Sequence, residues 1–235
     1  MTEIYYDLHI HSALSPCADD EMTPNNIVNM ALIKGLDVIA VCDHNCADNT
    51  PAIEKAAENS GLLFIPGVEV NTAEEVHLLV LFAEVDKAVA FGDVIYDSLP
   101  DMKNEPEFFG NQLIMDADDE VTGIKEKMLL SASAFGLSQC YGMAAEYGGV
   151  AIPAHVNKEV NSLLANLGFF PEDIHIPTIE VWRGGMELDT DGFNLVYNSD
   201  AHTLGDIAER QNFLLSAVKD RDSILKKLCA KKDNL

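Results

Sequence analysis

Basic residues are scarce in this chain: 15 Lys and Arg stand against 39 Asp and Glu, a formal charge of −24. A surface of that sign repels a phosphate backbone, so nucleic acid is not an expected partner unless bound cations invert the local field. Cysteines are few, odd in number and irregularly spaced (Cys17, Cys42, Cys46, Cys140 and Cys229). They form no disulfide framework and suit a reduced setting. No apolar run approaches the ~20 residues that cross a bilayer, and nothing resembling a signal peptide precedes the first strand near Ile4. A cytoplasmic protein is expected, with no membrane partner. There is no Gly-x-Ser-x-Gly elbow and no phosphate loop ending in Gly-Lys-Ser/Thr, which removes two common routes to hydrolysis.

Histidines, in contrast, are grouped. Five of the seven lie in four short clusters with carboxylates, near apolar strand-like runs, and a sixth, His155, closes such a run, Ala151-Ile152-Pro153-Ala154. The clusters are Asp7-Leu8-His9-Ile10-His11, Asp43-His44, Glu69 with His77, and Asp200-Ala201-His202. Imidazole nitrogen and carboxylate oxygen together are a ligand set for zinc, manganese and iron. Two histidines spaced by one residue share a side only on an extended strand, so His9 and His11 chelate together only there, with Leu8 and Ile10 facing the opposite layer. Asp7 is a candidate acceptor to orient one of the imidazoles. His175 belongs to no cluster and reads as a loop residue.

Strand-like segments recur at 4–8, 38–42, 63–68, 76–82, 150–154, 178–182 and 195–198, with a possible eighth at 212–216. Helices fall between many of them: Thr23-Pro24 opens one that Gly35 closes, Thr50-Pro51 and Gly61 bracket a second, and Ser138 can cap a third over 139–147. Alternating strands and helices argue for one α/β domain over 1–235 with a mostly parallel sheet, open or closed into a barrel. His44, Glu69 and Asp200 then sit at the carboxyl ends of strands, where active sites of such folds gather. His77 begins its strand, which suggests that this strand runs the other way or curves. Residues 97–130 break the rhythm and read as a small hairpin excursion, over the cleft or at a dimer contact.

The ordered series Asp-Leu-His-Ile-His-Ser, Asp-His-Asn, Gly-Val-Glu, a His before an apolar strand, Ala-His and Ser-Asp-Ala-His resembles the PHP (polymerase and histidinol phosphatase) family from Tyr6 to about Ala208. The resemblance implies a distorted seven-stranded (β/α) barrel with a trinuclear metal site, so that two to three divalent ions, usually zinc, manganese or iron, are expected. It implies ligands at His9, His11, His44, Glu69, His77, His155, Asp200 and His202, with Glu69 bridging two ions. A further ligand is expected in the loop after the first motif, at Asp19 or its neighbour Asp20. The implied activity is hydrolysis of a small phosphorylated metabolite by a metal-bound hydroxide; a nuclease, a C–N hydrolase and a non-catalytic metal-binding domain are the rivals. The cation cluster would outweigh its carboxylates and draw anions into an otherwise acidic protein. Arg183 is the first candidate to grip a phosphate, followed by Lys158 and Arg210. Asp43, His202 or a metal-bound water could serve as general acid. Trp182 and Tyr197 read first as core and second as stacking platforms for a base. The oligomeric state is open.

Overall fold

The computed structural model describes residues 1–231. In chain order the elements are β1 (Thr2–Ile10), α1 (Pro24–Ile33), β2 (Val38–His44), α2 (Thr50–Ala57), β3 (Leu63–Asn71), β4 (His77–Leu81), α3 (Val85–Ser98) and α4 (Pro106–Phe109). There follow β5 (Leu113–Met115), β6 (Val121–Ile124), α5 (Leu137–Glu146), β7 (Val150–Pro153), α6 (Leu163–Asn166), β8 (Thr178–Glu180), β9 (Asn194–Val196), β10 (Phe213–Ser216) and α7 (Arg221–Cys229). The first helix obeys its local signals: the Thr23 side chain accepts from the Asn26 N–H, Pro24 needs no donor partner, and Ile27, Val28 and Ala31 turn inward. The third expected helix starts earlier than Ser138. Gly136 is its cap, with its N–H on Gln139 Oε1 at 3.0 Å, and Glu74 Oε2 takes the Leu137 N–H at 2.9 Å. A carboxylate distant in sequence has replaced the local serine.

Six strands form a curled sheet in the order β10-β1-β2-β3-β4-β7. The sheet is mixed rather than mostly parallel. Only β1–β2 and β2–β3 run parallel, while β10–β1, β3–β4 and β4–β7 are antiparallel. The reason is length: residues 72–76 join β3 to β4, and a parallel crossover needs a dozen residues or more. The reversed strand that His77 hinted at is therefore real. A separate parallel pair, β8–β9, lies beside the sheet. The Val156 N–H bonds to Glu180 O at 2.9 Å on one side, and Ile10 bridges to Ala201 on the other. Continuous pairing reaches six strands, not the expected seven.

Alternate residues divide the core. Ile4, Tyr6, Leu8, Val38, Ala40, Cys42, Ile65, Leu79, Leu81 and Ile152 pack together on one face, joined by Ile224, Leu225 and Leu228 of α7. On the other face, α1 and α2 cover Ile39, Val41 and Phe64, and α3 and α5 cover Val68, Leu78, Val80 and Phe82. The register of β1 shifts between Asp7 and Ile10. Leu8 consequently belongs to the α7 side and Ile10 to the α1 side, so the two do not share a layer as expected.

The excursion contains the expected hairpin, β5–β6. It is fastened beside the mouth of the sheet by three buried amides. Asn45 Nδ2 donates to Leu129 O and Ser131 O, Asn49 Nδ2 donates to Leu113 O and Ser12 Oγ, and Gln112 Nε2 donates to Lys125 O and Lys127 O. Each amide oxygen also accepts, from Asn71 N, Met115 N and Leu129 N respectively. Leu130 thereby becomes part of the wall of the cleft.

Candidate metal centre

Parallel pairing of β2 and β3 sets His44 directly beside Glu69, and antiparallel pairing brings His77 back to Asn71 on the same rim. His9 and His11 arrive from β1, His155 follows β7, and Asp200 and His202 follow β9. All of these converge. Glu69, 1% exposed, has five imidazoles around its two oxygens. Oε1 lies 2.9 Å from His77 Nδ1 and 3.3 Å from both His9 Nε2 and His155 Nε2. Oε2 lies 3.0 Å from His44 Nδ1 and 3.3 Å from His11 Nε2. Asp200 Oδ1 adds contacts of 3.3 Å to His9 Nε2 and 3.2 Å to His11 Nε2.

The far nitrogens of the first pair fix what the near ones can offer. His9 Nδ1 faces both oxygens of buried Glu180 at 3.1 Å, and a carboxylate accepts only, so this nitrogen carries the hydrogen. His11 Nδ1 meets Ser15 Oγ at 2.9 Å, while the Ser15 hydroxyl spends its single hydrogen on Asp43 Oδ1 at 2.7 Å. His11 must therefore donate at Nδ1 as well. Neutral imidazoles held this way present bare lone pairs at Nε2, and these two nitrogens stand 3.2 Å apart with carboxylate oxygens around them. Lone pairs so placed repel unless a cation or a proton lies between them. In addition, His44 Nδ1, Glu69 Oε2 and His155 Nδ1 are buried without a hydrogen-bond partner. The residues present thus fit a metal cluster. Three sets lie at ligand distance from one another: His9, His11, Glu69 and Asp200; His44, Glu69 and His77; and His11, His44 and His202.

Titration behaviour reflects the same crowding. Burial opposes charge on His11, but Asp200 and Glu69 outweigh it and raise its pKa to about 9. His9 is likewise raised against burial by Glu180, Glu69 and Asp200. Burial, with His11 and His77 adding to it against the pull of Glu69, holds His44 well below the usual imidazole value. Burial and the neighbouring His11 bring His202 down to about 4, against Asp200. Two of the site residues, His155 (φ 27°) and Asp200 (φ 52°), have left-handed backbones, a cost of about 1–3 kcal/mol each that the surrounding contacts hold in place.

The cleft above these groups has a volume of about 260 Å³ and is lined by Cys17, His44, Glu69, His77, His155, Lys158, Asp200 and His202, among others. Not every expected residue is there. Asp19 is exposed and takes part through its backbone N–H, bonded to His202 O at 2.9 Å; exposed Asp20 accepts from Asn111 at 2.8 Å. The side chain from that loop that lines the cleft is Cys17. Asp43 is buried and accepts from Ser12 N, Ser12 Oγ and Ser15 Oγ at 2.6–2.7 Å, so it braces the loop and is not among the residues lining the cleft. Asp7 does not orient an imidazole; it binds Ser199 and the Ala208 N–H. Arg183 sits in a neighbouring groove, bonded to Asn212 Oδ1 at 2.6 Å and stacked 4.8 Å from Tyr197. Arg210 is farther off, over Tyr5. Of the three basic candidates Lys158 alone lines the cleft, paired with Asp200 Oδ2 and lying 4.3 Å from the Trp182 ring.

Glu180 escaped sequence reasoning: it ends an apolar strand, as many ordinary acids do, and its partners are remote in sequence. Besides His9, it accepts from the His155 N–H and from Asn198 Nδ2, both at 2.7 Å. One buried carboxylate therefore ties the first histidine motif to the Ala-His motif.

The profile of the PHP domain matches residues 7–143, more than half of the sequence. This chain belongs to the PHP domain family. Among curated proteins, this PHP chain is 39% identical over 67 residues to a 5'-3' exoribonuclease of Haemophilus influenzae and 33% identical over 67 residues to a 3',5'-nucleoside bisphosphate phosphatase of Chromobacterium violaceum. Each match covers 28% of this chain and 23% or 22% of the relative, so under a quarter of either curated protein is spanned. In fold the PHP chain resembles a lesion-specific endonuclease of Pyrococcus furiosus, with a TM-score of 0.66 at 20% identity over 97% of this chain and 56% of the nuclease. An Endonuclease Q of the same fold is known with a 27-mer duplex at its active site. Exclusion of nucleic acid from the acidic composition alone therefore does not hold for this fold. Among the described residues, no helix is long and apolar enough to cross a membrane.

Proposed function

We propose that this PHP protein is a metal-dependent phosphoesterase that hydrolyses a small phosphomonoester. The observation that carries the reading is the ring of five imidazoles around Glu69, with buried nitrogen and oxygen atoms that lack partners. His9, His11, His44, Glu69, His77, His155, Asp200 and His202 would hold two to three divalent ions of zinc, manganese or iron. Ions bound there supply Lewis acidity to phosphoryl oxygens and lower the pKa of water to the neutral range.

The chain's own residues supply the rest. Glu180 and Ser15 keep the Nε2 atoms of His9 and His11 free for ligation by fixing the hydrogens at Nδ1. Lys158 offers the cleft its cationic side chain, and an incoming phosphate would compete with Asp200 for it. Leu130, from the excursion, narrows the mouth and limits water. We further infer that β8 and β9 complete a ring of seven staves with β1, β2, β3, β4 and β7, a closure supported by the Val156–Glu180 and Ile10–Ala201 contacts. We read residues 1–235 as one domain in a reducing, cytoplasmic setting, in keeping with five free cysteines.

The test is direct. Purified protein should carry two to three equivalents of transition metal by elemental analysis and hydrolyse p-nitrophenyl phosphate. His44→Ala should abolish turnover with the circular dichroism spectrum unchanged; retained activity would remove the mechanism. The match to an exoribonuclease supports a second reading, attack on the end of a nucleic-acid strand. A labelled oligonucleotide assayed beside the monoester, with an amide substrate as control for C–N hydrolysis, separates the readings.

A further inference from the structure

A second cavity, of about 460 Å³, adjoins the metal cleft and has no part in the roles above. The two share a wall: Ser199 lines this groove while Asp200 lines the cleft, and Lys158 of the cleft lies 4.3 Å from the ring of Trp182, which lines the groove. A molecule held by its phosphate near Lys158 therefore has an adjoining space of ligand size for the group that carries the phosphate.

The lining states what that group is. Trp182 keeps 38% of its surface exposed, an unusual amount for an indole on a folded protein, and so offers a planar π-surface at the groove. A Cβ at Gly184 would come within 3.6 Å of the indole Nε1, so any longer side chain there would cover the ring that glycine leaves open. Asp206 and Glu209, both exposed, line the same groove. Asp206 Oδ2 accepts from Thr203 Oγ1 at 2.8 Å and Glu209 Oε1 from Lys34 Nζ at 2.5 Å, so each carboxylate keeps a second oxygen that can accept an amino N–H. Gln211 adds an exposed amide with both donor and acceptor. Asn198 and Asn212 are walls instead, their amides already committed to Leu8 and Glu180, and to Arg183 and Tyr197. A planar heterocycle with amino and carbonyl edges can stack on the indole and meet the carboxylates and the Gln211 amide at its edge, and an aliphatic alcohol can do neither.

We propose that this groove seats the nucleobase of a nucleotide, stacked on Trp182, while the phosphate lies at the metal cleft. The proposal rests on the phosphoesterase reading and names its substrate class as nucleoside monophosphates. Trp182 is the sole tryptophan of the chain, so its emission reports the groove directly. Titration of the metal-loaded protein with adenosine should quench that emission saturably, and inorganic phosphate should not. The ratio of kcat/KM for AMP to that for glycerol 2-phosphate should fall about tenfold in both Trp182→Ala and Gly184→Leu, as expected for loss of one base stack. Absence of quenching, or an unchanged ratio in both variants, overturns the proposal. If a 5'-phosphorylated dinucleotide matches AMP in kcat/KM, the seat receives the terminal nucleotide of a strand; if it falls well behind, the mononucleotide is the source. Failure of all phosphate esters to turn over would sink the phosphoesterase reading alone, because adenosine quenching does not depend on hydrolysis.

Discussion

The amide clips of the excursion and the imidazole ring around Glu69 are both buried and polar, and they differ in one respect. Asn45, Asn49 and Gln112 have partners at both ends of their amides. His44 Nδ1, His155 Nδ1 and Glu69 Oε2 have no hydrogen bond, although His44 Nδ1 and Glu69 Oε2 stand 3.0 Å apart. Buried polarity that is internally satisfied holds two parts of a chain together, whereas buried polarity left over marks the place of something the chain does not itself provide. The first kind should matter for stability and the second for cation uptake.

The largest effect should come from Glu69→Gln, which removes the shared carboxylate. Bound metal should fall close to zero by elemental analysis, and turnover with it, while the folded spectrum persists. A variant that keeps its metal would break the contrast. Next, Glu180→Gln should weaken metal binding by about 10- to 100-fold, because outer partners orient and polarise an imidazole without touching the ion. Competitive chelator titration measures this. Asn49→Ala should do the reverse, costing about 2–3 kcal/mol in denaturant unfolding for the stranded Leu113 carbonyl and Met115 N–H, with metal content unchanged.

A smaller effect is pH-dependent. In chelated protein His11 has a pKa raised from 6.5 to about 9 by Asp200 and Glu69 against burial. Its proton therefore binds the folded state more tightly than the unfolded one, and that stability is complete below pH 6.5 and lost as pH rises through 9. The Tm of chelated protein should decline across this window, and added metal should restore it. The smallest effect belongs to Asp19→Asn, where an exposed side chain predicts a change within about 0.5 kcal/mol and intact metal content.

How much of this was legible depends on distance along the chain. His9 with His11 declares itself because the spacing of one residue has meaning on an extended segment. The N-cap of α1 is readable for the same reason. Glu180 was not, since its partners His9 and Asn198 lie 171 and 18 residues away and nothing local distinguishes it from an ordinary strand-end acid. Arg183 enters the groove beside the cleft, because proximity to a strand end says nothing about which of two adjoining hollows a long side chain enters; its bond to Asn212 decides that. The Ser138 cap failed to a remote competitor, Glu74. The mixed sheet, by contrast, could have been foreseen from the brevity of residues 72–76 alone.

The irregularity in β1 between Asp7 and Ile10 has a consequence of its own. It lets a single strand serve two masters: the segment before it contributes side chains to the oily packing under α7, and the segment after it lends nitrogen donors to the mouth. Excising one residue at that point would restore ordinary alternation and rotate one group at the expense of the other. A shortened β1 could keep its greasy underside or its donor pair, but not both, which makes this stretch the place where insertions and deletions should be least tolerated.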